Sequence, residues 1–301
     1  MPTQSPAMET LTRRQWALLI PLTIAWGINW PIMKVGVGDM PPLAFRAMSL
    51  WLGVPVLVAV LLTMRLPFRV PRRHWPELLW LSATNMFVWH VCIIIALRHL
   101  SGGRAAILGY TMPVFSAILG AWLFNTRLSA RAWMGVAAAA LGVAFLLWHE
   151  FTGLAGSPGF VALALVAAAT WALGTQLLRR TQLPVPTLTL SFWMTTLTAL
   201  VMGALSVLAE RSEWHAPSPA AWGAIVYNAV VIFGFAHVAW FVLARGLPPV
   251  ASTISVMMIP VLGVLSSALW LGEAIYWQDW LAMALLMVAI GAVLLPARSP
   301  G

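Results

Sequence analysis

The chain has 301 residues, 61% of them hydrophobic and only 8% charged, against roughly a quarter charged in a soluble domain, so most of its length cannot face water. The formal charge of +9 would suit nucleic acid, but the basic residues fall between apolar runs, so membrane anchoring is expected and a nucleic-acid partner is not.

Crossing a hydrocarbon layer of about 30 Å takes about 20 apolar residues. Spans are predicted near 15–34, 41–62, 75–97, 103–124, 130–148, 157–179, 187–209, 219–243, 249–270 and 277–296. The first carries Trp26, Gly27, Asn29 and Trp30, has no cleavage site after it and reads as a retained helix. The second opens on Phe45-Arg46, the third holds Asn85, Met86, Trp89 and His90, and the fourth holds Tyr110 and Pro113. His149 to Pro158 reads as a joint, dividing the chain into halves 1–150 and 151–301. Beyond it, Trp171, Thr175 and Gln176 lie in the sixth span, His237 in the eighth and Pro260 in the ninth.

A shift of 147 positions lays the chain on itself without gaps: Phe45 on Phe192, Trp75 on Trp222, His90 on His237, Pro113 on Pro260 and Trp133 on Trp280. Five crossings per half invert the second copy relative to the first. The expected fold is therefore an all-α integral membrane protein of ten helices in two inverted repeats, the frame of alternating-access carriers.

Twelve basic residues (Arg13, Arg14, Arg65, Arg69, Arg72, Arg73, Arg127, Arg131, Arg179, Arg180, Arg245 and Arg298) would share one side, against Lys34, Arg98, Arg104 and Arg211 on the other. The positive-inside rule places that first side, with both termini, in the cytoplasm.

No carboxylate is expected at mid-membrane, which disfavours pumps driven by an embedded Asp or Glu. His90 and His237 each lie 15 residues beyond the equivalent Trp75 and Trp222, so each is expected about 5 Å from the midplane, on opposite sides of it. They either face a central cavity or pack as neutral imidazoles between helices. Met86 and Asn85 precede His90, and Met86 shares its face at helical spacing. Trp26, Asn29, Trp171, Thr175, Gln176 and Tyr110 are further candidates for a cavity wall, with ordinary helix packing as the alternative. Arg46 either pairs with a substrate carboxylate or snorkels to the interface. Pro113 and Pro260 are candidate hinges. The deep tryptophans are Trp26, Trp51, Trp89, Trp122, Trp171 and Trp240, while Trp16, Trp75, Trp80, Trp133, Trp148, Trp214, Trp222, Trp277 and Trp280 read as interfacial belts. No Cys, Asp or Glu stands near the two histidines in helical register, and two histidines alone make a weak ligand set, so neither metal nor cofactor is expected. No His-Glu-x-x-His, Gly-x-Ser-x-Gly or phosphate loop appears, which argues against an enzyme or a nucleotide-driven pump.

The span carrying Pro260, followed by Leu271-Gly272-Glu273 and a last helix, resembles the drug/metabolite transporter superfamily. So do Trp26-Gly27-Ile28-Asn29-Trp30 and Phe45-Arg46, and the nearest likeness is to EamA-type ten-helix carriers. The first half departs from the pattern, with Phe124-Asn125-Thr126 where Gly-Glu is expected. At finer grain the chain resembles the aromatic amino acid exporters of that superfamily. The resemblance implies efflux, an inner-membrane location and a cavity between the halves. The expected function is a monomeric carrier for aromatic or bulky neutral amino acids, coupled weakly or not at all; export of another metabolite or drug is the alternative.

Overall fold

The computed structural model describes residues 13–125, 127–152, 158–246 and 249–294. Thr126, residues 153–157 of the expected joint, Leu247, Pro248 and both chain ends, with Arg298, lie outside these. The described residues form ten successive helices. The first half holds α1 (Arg13–Asp39), α2 (Pro42–Thr63), α3 (Trp75–Ser82 continuing through Ala83–Phe87 and Val88–His99), α4 (Gly102–Gly109, then Met112–Phe124) and α5 (Ala130–Thr152). The second holds α6 (Pro158–Arg180), α7 (Thr187–Glu210), α8 (Pro219–Tyr227 continuing through Asn228–Ala236 and His237–Gly246), α9 (Pro249–Leu271) and α10 (Trp277–Leu294). The first eight are long and apolar enough to cross a bilayer, and α9 and α10 contain shorter apolar stretches, Met258–Leu271 and Trp277–Ala292. Leu208, Leu269 and Trp122 are about four-fifths exposed on the outer surface, as lipid-facing side chains must be.

Inversion is visible in the pairing of equivalent helices. The N-terminal end of α2 meets the C-terminal end of α7, where Leu43 and Ala44 donate their amides to Glu210 at 3.0 and 2.8 Å. At the other end Thr189 and Trp193 of α7 donate to the carbonyls of Pro67 and Phe68, just past α2. The pairs α5–α10 and α4–α9 also run antiparallel: Arg131 donates to the Gly291 carbonyl, and Gly103 at the start of α4 lies against Val264 late in α9. The remaining contacts exchange with the repeats, since α1 packs on α9 and α8 as α6 packs on α4 and α3.

Lipid solvates apolar surface as well as another helix does, so close packing of small residues supplies the adhesion. A Cβ on Gly27 would stand 2.5 Å from Leu262, one on Gly263 2.7 Å from Ala106, and one on Gly174 2.6 Å from Asn85. The expected Gly-Glu asymmetry resolves at two equivalent helix ends. Gly272 closes α9 with φ +65, and Asn125, 147 positions earlier, closes α4 with φ 52. Asparagine is the residue besides glycine that most readily takes this left-handed conformation.

Candidate functional site

The face where α1 begins is here the near face and its opposite the far face. Between the repeats lies a cavity of about 60 Å³, lined chiefly by Trp26, Asn29, Trp30, Met33, Arg46, Trp89, His90, Tyr110, Trp171, His237 and Trp240. That volume holds a few waters. Sites for drug-sized ligands occupy roughly 300–1,000 Å³, so an aromatic ligand requires the walls to move apart.

Local backbone geometry brings the histidines in. Ala83–Phe87 in α3 and Asn228–Ala236 in α8 are wound as π-helix, at overlapping repeat positions just before His90 and His237. A π turn inserts residues into the helical register and turns the following side chains onto a new face. The two rings consequently meet at 5.8 Å between centroids, and both pack on Phe233, at 5.3 and 5.2 Å. Their bonding differs. His237 Nδ1 lies 3.0 Å from the carbonyl oxygen of Ile232, five residues back; a carbonyl only accepts, so that nitrogen carries a proton. His90 is 2% exposed, and neither ring nitrogen has a hydrogen-bond partner among the described residues. An unmatched buried polar group costs about 1–3 kcal/mol, which a bound ligand would offset.

Aromatic rings form the rest of the wall. Trp26 lies 5.9 Å from His237 and 5.5 Å from Trp240, while Trp171 lies 5.7 Å from His237 and 5.2 Å from Trp89. Tyr110 meets Trp30 at 6.4 Å. Of the six deep tryptophans, Trp26, Trp89, Trp171 and Trp240 line the cavity, whereas Trp51 and Trp122 are exposed on the outer surface. Asn29 lines the wall, with its buried Oδ1 unpartnered.

Four residues expected at the wall sit elsewhere. Met86 is fully buried away from the cavity: it lies inside the π-wound stretch Ala83–Phe87, where the regular four-residue spacing that would have aligned it with His90 does not hold. Asn85 packs into the notch at Gly174 and donates to the Leu81 carbonyl at 3.1 Å. Gln176 donates to Ser116 on α4, and Thr175, half-buried, does not reach the lining. Arg46 does not snorkel. It is 1% exposed and turned inward, where Nη1 donates to Asn228 at 3.1 Å and Nη2 to the Met33 sulfur at 2.7 Å.

The proline sites are equivalent in sequence but not in path. Ahead of Pro113, α4 breaks at Tyr110–Thr111, beside the cavity, while α9 continues through Pro260.

Hydropathy gave no sign of the polar closure on the far face. Glu273 accepts from the free amides of Gly102 and Gly103 at the start of α4, at 2.9 and 3.3 Å, and Arg104 pairs with Asp279 at 2.8 Å. Asp39 accepts from the Ser218 amide before α8, and Lys34 donates to the carbonyls of Leu97, Arg98 and Leu100 ending α3. Acids thus sit on helix N-termini and a cation on a C-terminus, each complementing a helix dipole. The sequence signal was acidic residues confined to span ends.

Comparison with known proteins agrees with this architecture. The profile of the EamA-like transporter family matches residues 15–148 and again 159–295. The uncharacterized transporter YoaV of Bacillus subtilis is 25% identical over 85% of this chain and 88% of its own. The uncharacterized inner membrane transporter YedA of Escherichia coli is 26% identical over 93% and 92%. A probable amino-acid metabolite efflux pump of Salmonella typhimurium is 22% identical over 93% and 94%. A crystal structure with a TM-score of 0.68 and 22% identity, covering 94% of this chain and 98% of its own, shares the fold. With both halves matched, this chain belongs to the EamA-like transporter family.

Proposed function

We propose that this protein exports aromatic or bulky neutral amino acids across the inner membrane by alternating access, as an uncoupled or weakly coupled carrier acting as a monomer. The observation that carries the reading is the cavity between inverted repeats, walled by indole and phenol rings and holding the unpartnered polar groups of His90 and Asn29. Rings offer stacking to an aromatic side chain, and the polar groups offer hydrogen bonds to an amino acid's backbone. Among the described residues no carboxylate lines the cavity, which supports transport without coupling to a proton or sodium gradient. Rocking of the halves exposes the cavity to each side in turn, with the α4 break at Tyr110–Thr111 and the prolines Pro113 and Pro260 as hinges. The charge bias of the sequence supports a cytoplasmic near face with both termini on that side. The names of two relatives, an inner membrane transporter and an amino-acid metabolite efflux pump, agree with location and direction.

Reconstituted vesicles test this. Tryptophan or phenylalanine uptake that continues when pH and voltage gradients are collapsed is the expected result. Loss of uptake under those conditions would overturn the uncoupled reading, and no uptake of any large neutral amino acid would overturn the substrate class.

A further inference from the structure

We infer that Arg46 is the receptor for a substrate carboxylate, and that Asn228 holds it in place while the carrier is empty. The inference rests on the reading of the central cavity as the transport site and narrows its ligands to carboxylic acids. Arg46 lines that cavity and is fully buried. Among the described residues it has no carboxylate within ion-pair distance. Its bonded partners are neutral, the Asn228 amide oxygen and the Met33 sulfur, and its Nε–H has no acceptor. Two rings lie within 6 Å of the guanidinium, Phe45 at 5.8 Å and Phe233 at 5.7 Å. Ring faces relieve a buried cation only in part.

A buried guanidinium is costly unless paired, and its planar fork matches a carboxylate with two parallel hydrogen bonds. The same Phe233 ring touches both Arg46 and His90, which places the cation one ring away from the unpartnered imidazole. An α-amino acid fits this polarity: carboxylate at Arg46, toward the far face; ammonium against the acceptors of Asn29 or His90; side chain among Trp26, Trp171 and Trp240. Asn228 belongs to α8 and Arg46 to α2, so the bond between them joins the two repeats. A carboxylate that replaces Asn228 on the guanidinium loosens that tie as it binds.

The test compares acids with their amides on the purified, full-length protein. Binding of phenylalanine and phenylalaninamide, and of indole-3-acetate and its amide, is measured by titration. In the wild type each acid is expected to bind about 10- to 100-fold more tightly than its amide, the worth of a charge-assisted pair. Arg46→Gln should lower acid affinity to that of the amide and leave the amide unchanged, while Arg46→Lys should keep part of the preference. Should Arg46→Gln fail to fold, Asn228→Asp decides. It places a carboxylate on Arg46 from within, so the protein should melt no lower than the wild type yet lose its preference for acids. Equal binding of acid and amide by the wild type, or an unchanged preference in Arg46→Gln or Asn228→Asp, would overturn the assignment. If indole-3-acetate shows the Arg46-dependent preference and phenylalanine does not bind, the amino acid reading falls and the carboxylate receptor stands.

Discussion

Glu273→Gln should loosen the far face of the carrier without unfolding it. The side chain joins the α9–α10 turn to the first two amides of α4, through one bond of 2.9 Å and a longer one of 3.3 Å. A charged acceptor contributes about 1.5–3 kcal/mol per bond. Here the group is only partly buried and water can take over those amides when the contact opens, so the net loss is about 1–2 kcal/mol. That is about a 5- to 30-fold shift in the ratio of far-open to far-closed protein. A single cysteine reads it. With Cys92, the only native cysteine, replaced by Ser, Ile93→Cys puts a thiol in the cavity wall, on the far half of α3. A membrane-impermeant maleimide added on the far side should label it about 5- to 30-fold faster in Glu273→Gln than in its parent. Gly102→Ala should act the same way, since its Cβ would stand 2.5 Å from the Ser267 hydroxyl across the same contact. Unchanged labelling together with a lower melting temperature would refute the gate and leave Glu273 a packing residue.

Other outcomes can be checked alongside. His90→Ala and Trp171→Ala should each lower transport at least about 10-fold, the worth of one buried hydrogen bond or aromatic contact, while membrane insertion and melting temperature stay near wild type. Trp240→Ala should impair transport and Trp122→Ala should not, because the first ring lines the cavity and the second is 78% exposed on the outer surface; vesicle uptake compares them. Gly174→Ala should destabilise by about 1–3 kcal/mol through overpacking, seen as a lower melting temperature in detergent. Removing the Asn85 side chain as well should not restore it, since the backbone nitrogen of Asn85 is itself within 2.7 Å of the new methyl group.

Much of the fold was legible in the sequence because the bilayer demands long apolar runs and the repeat ties each run to a partner. The pairing of His90 with His237 followed from the offset of 147, and the two rings do meet. The face each residue presents was less legible. Counting at 3.6 residues per turn placed Met86 beside His90, and a π turn that no apolar pattern announces separated them. Asn85 and Gln176 were candidates for the cavity wall, but their amide nitrogens donate to Leu81 and Ser116 within the helix packing, which was the alternative. Trp51 and Trp122 were counted deep by position along a helix, which says nothing of whether a ring turns inward or to lipid. Asn125 stood for a missing glycine and does that glycine's work at the end of α4, a substitution legible only from the backbone angle. The acids were placed away from mid-membrane, which does not tell what they touch; Glu210 and Asp279 are buried, bound to helix termini of other segments or to their own.

If the cavity between the repeats is the path of an aromatic amino acid, counterflow of that amino acid depends on the cavity walls. Vesicles holding equal amounts of folded wild-type, His90→Ala or Trp171→Ala protein are loaded with unlabelled phenylalanine and diluted into a trace of labelled phenylalanine. The wild type is expected to accumulate label transiently and both variants to accumulate little. Equal accumulation by all three would mean that the substrate crosses without touching these walls and that the cavity is not its path.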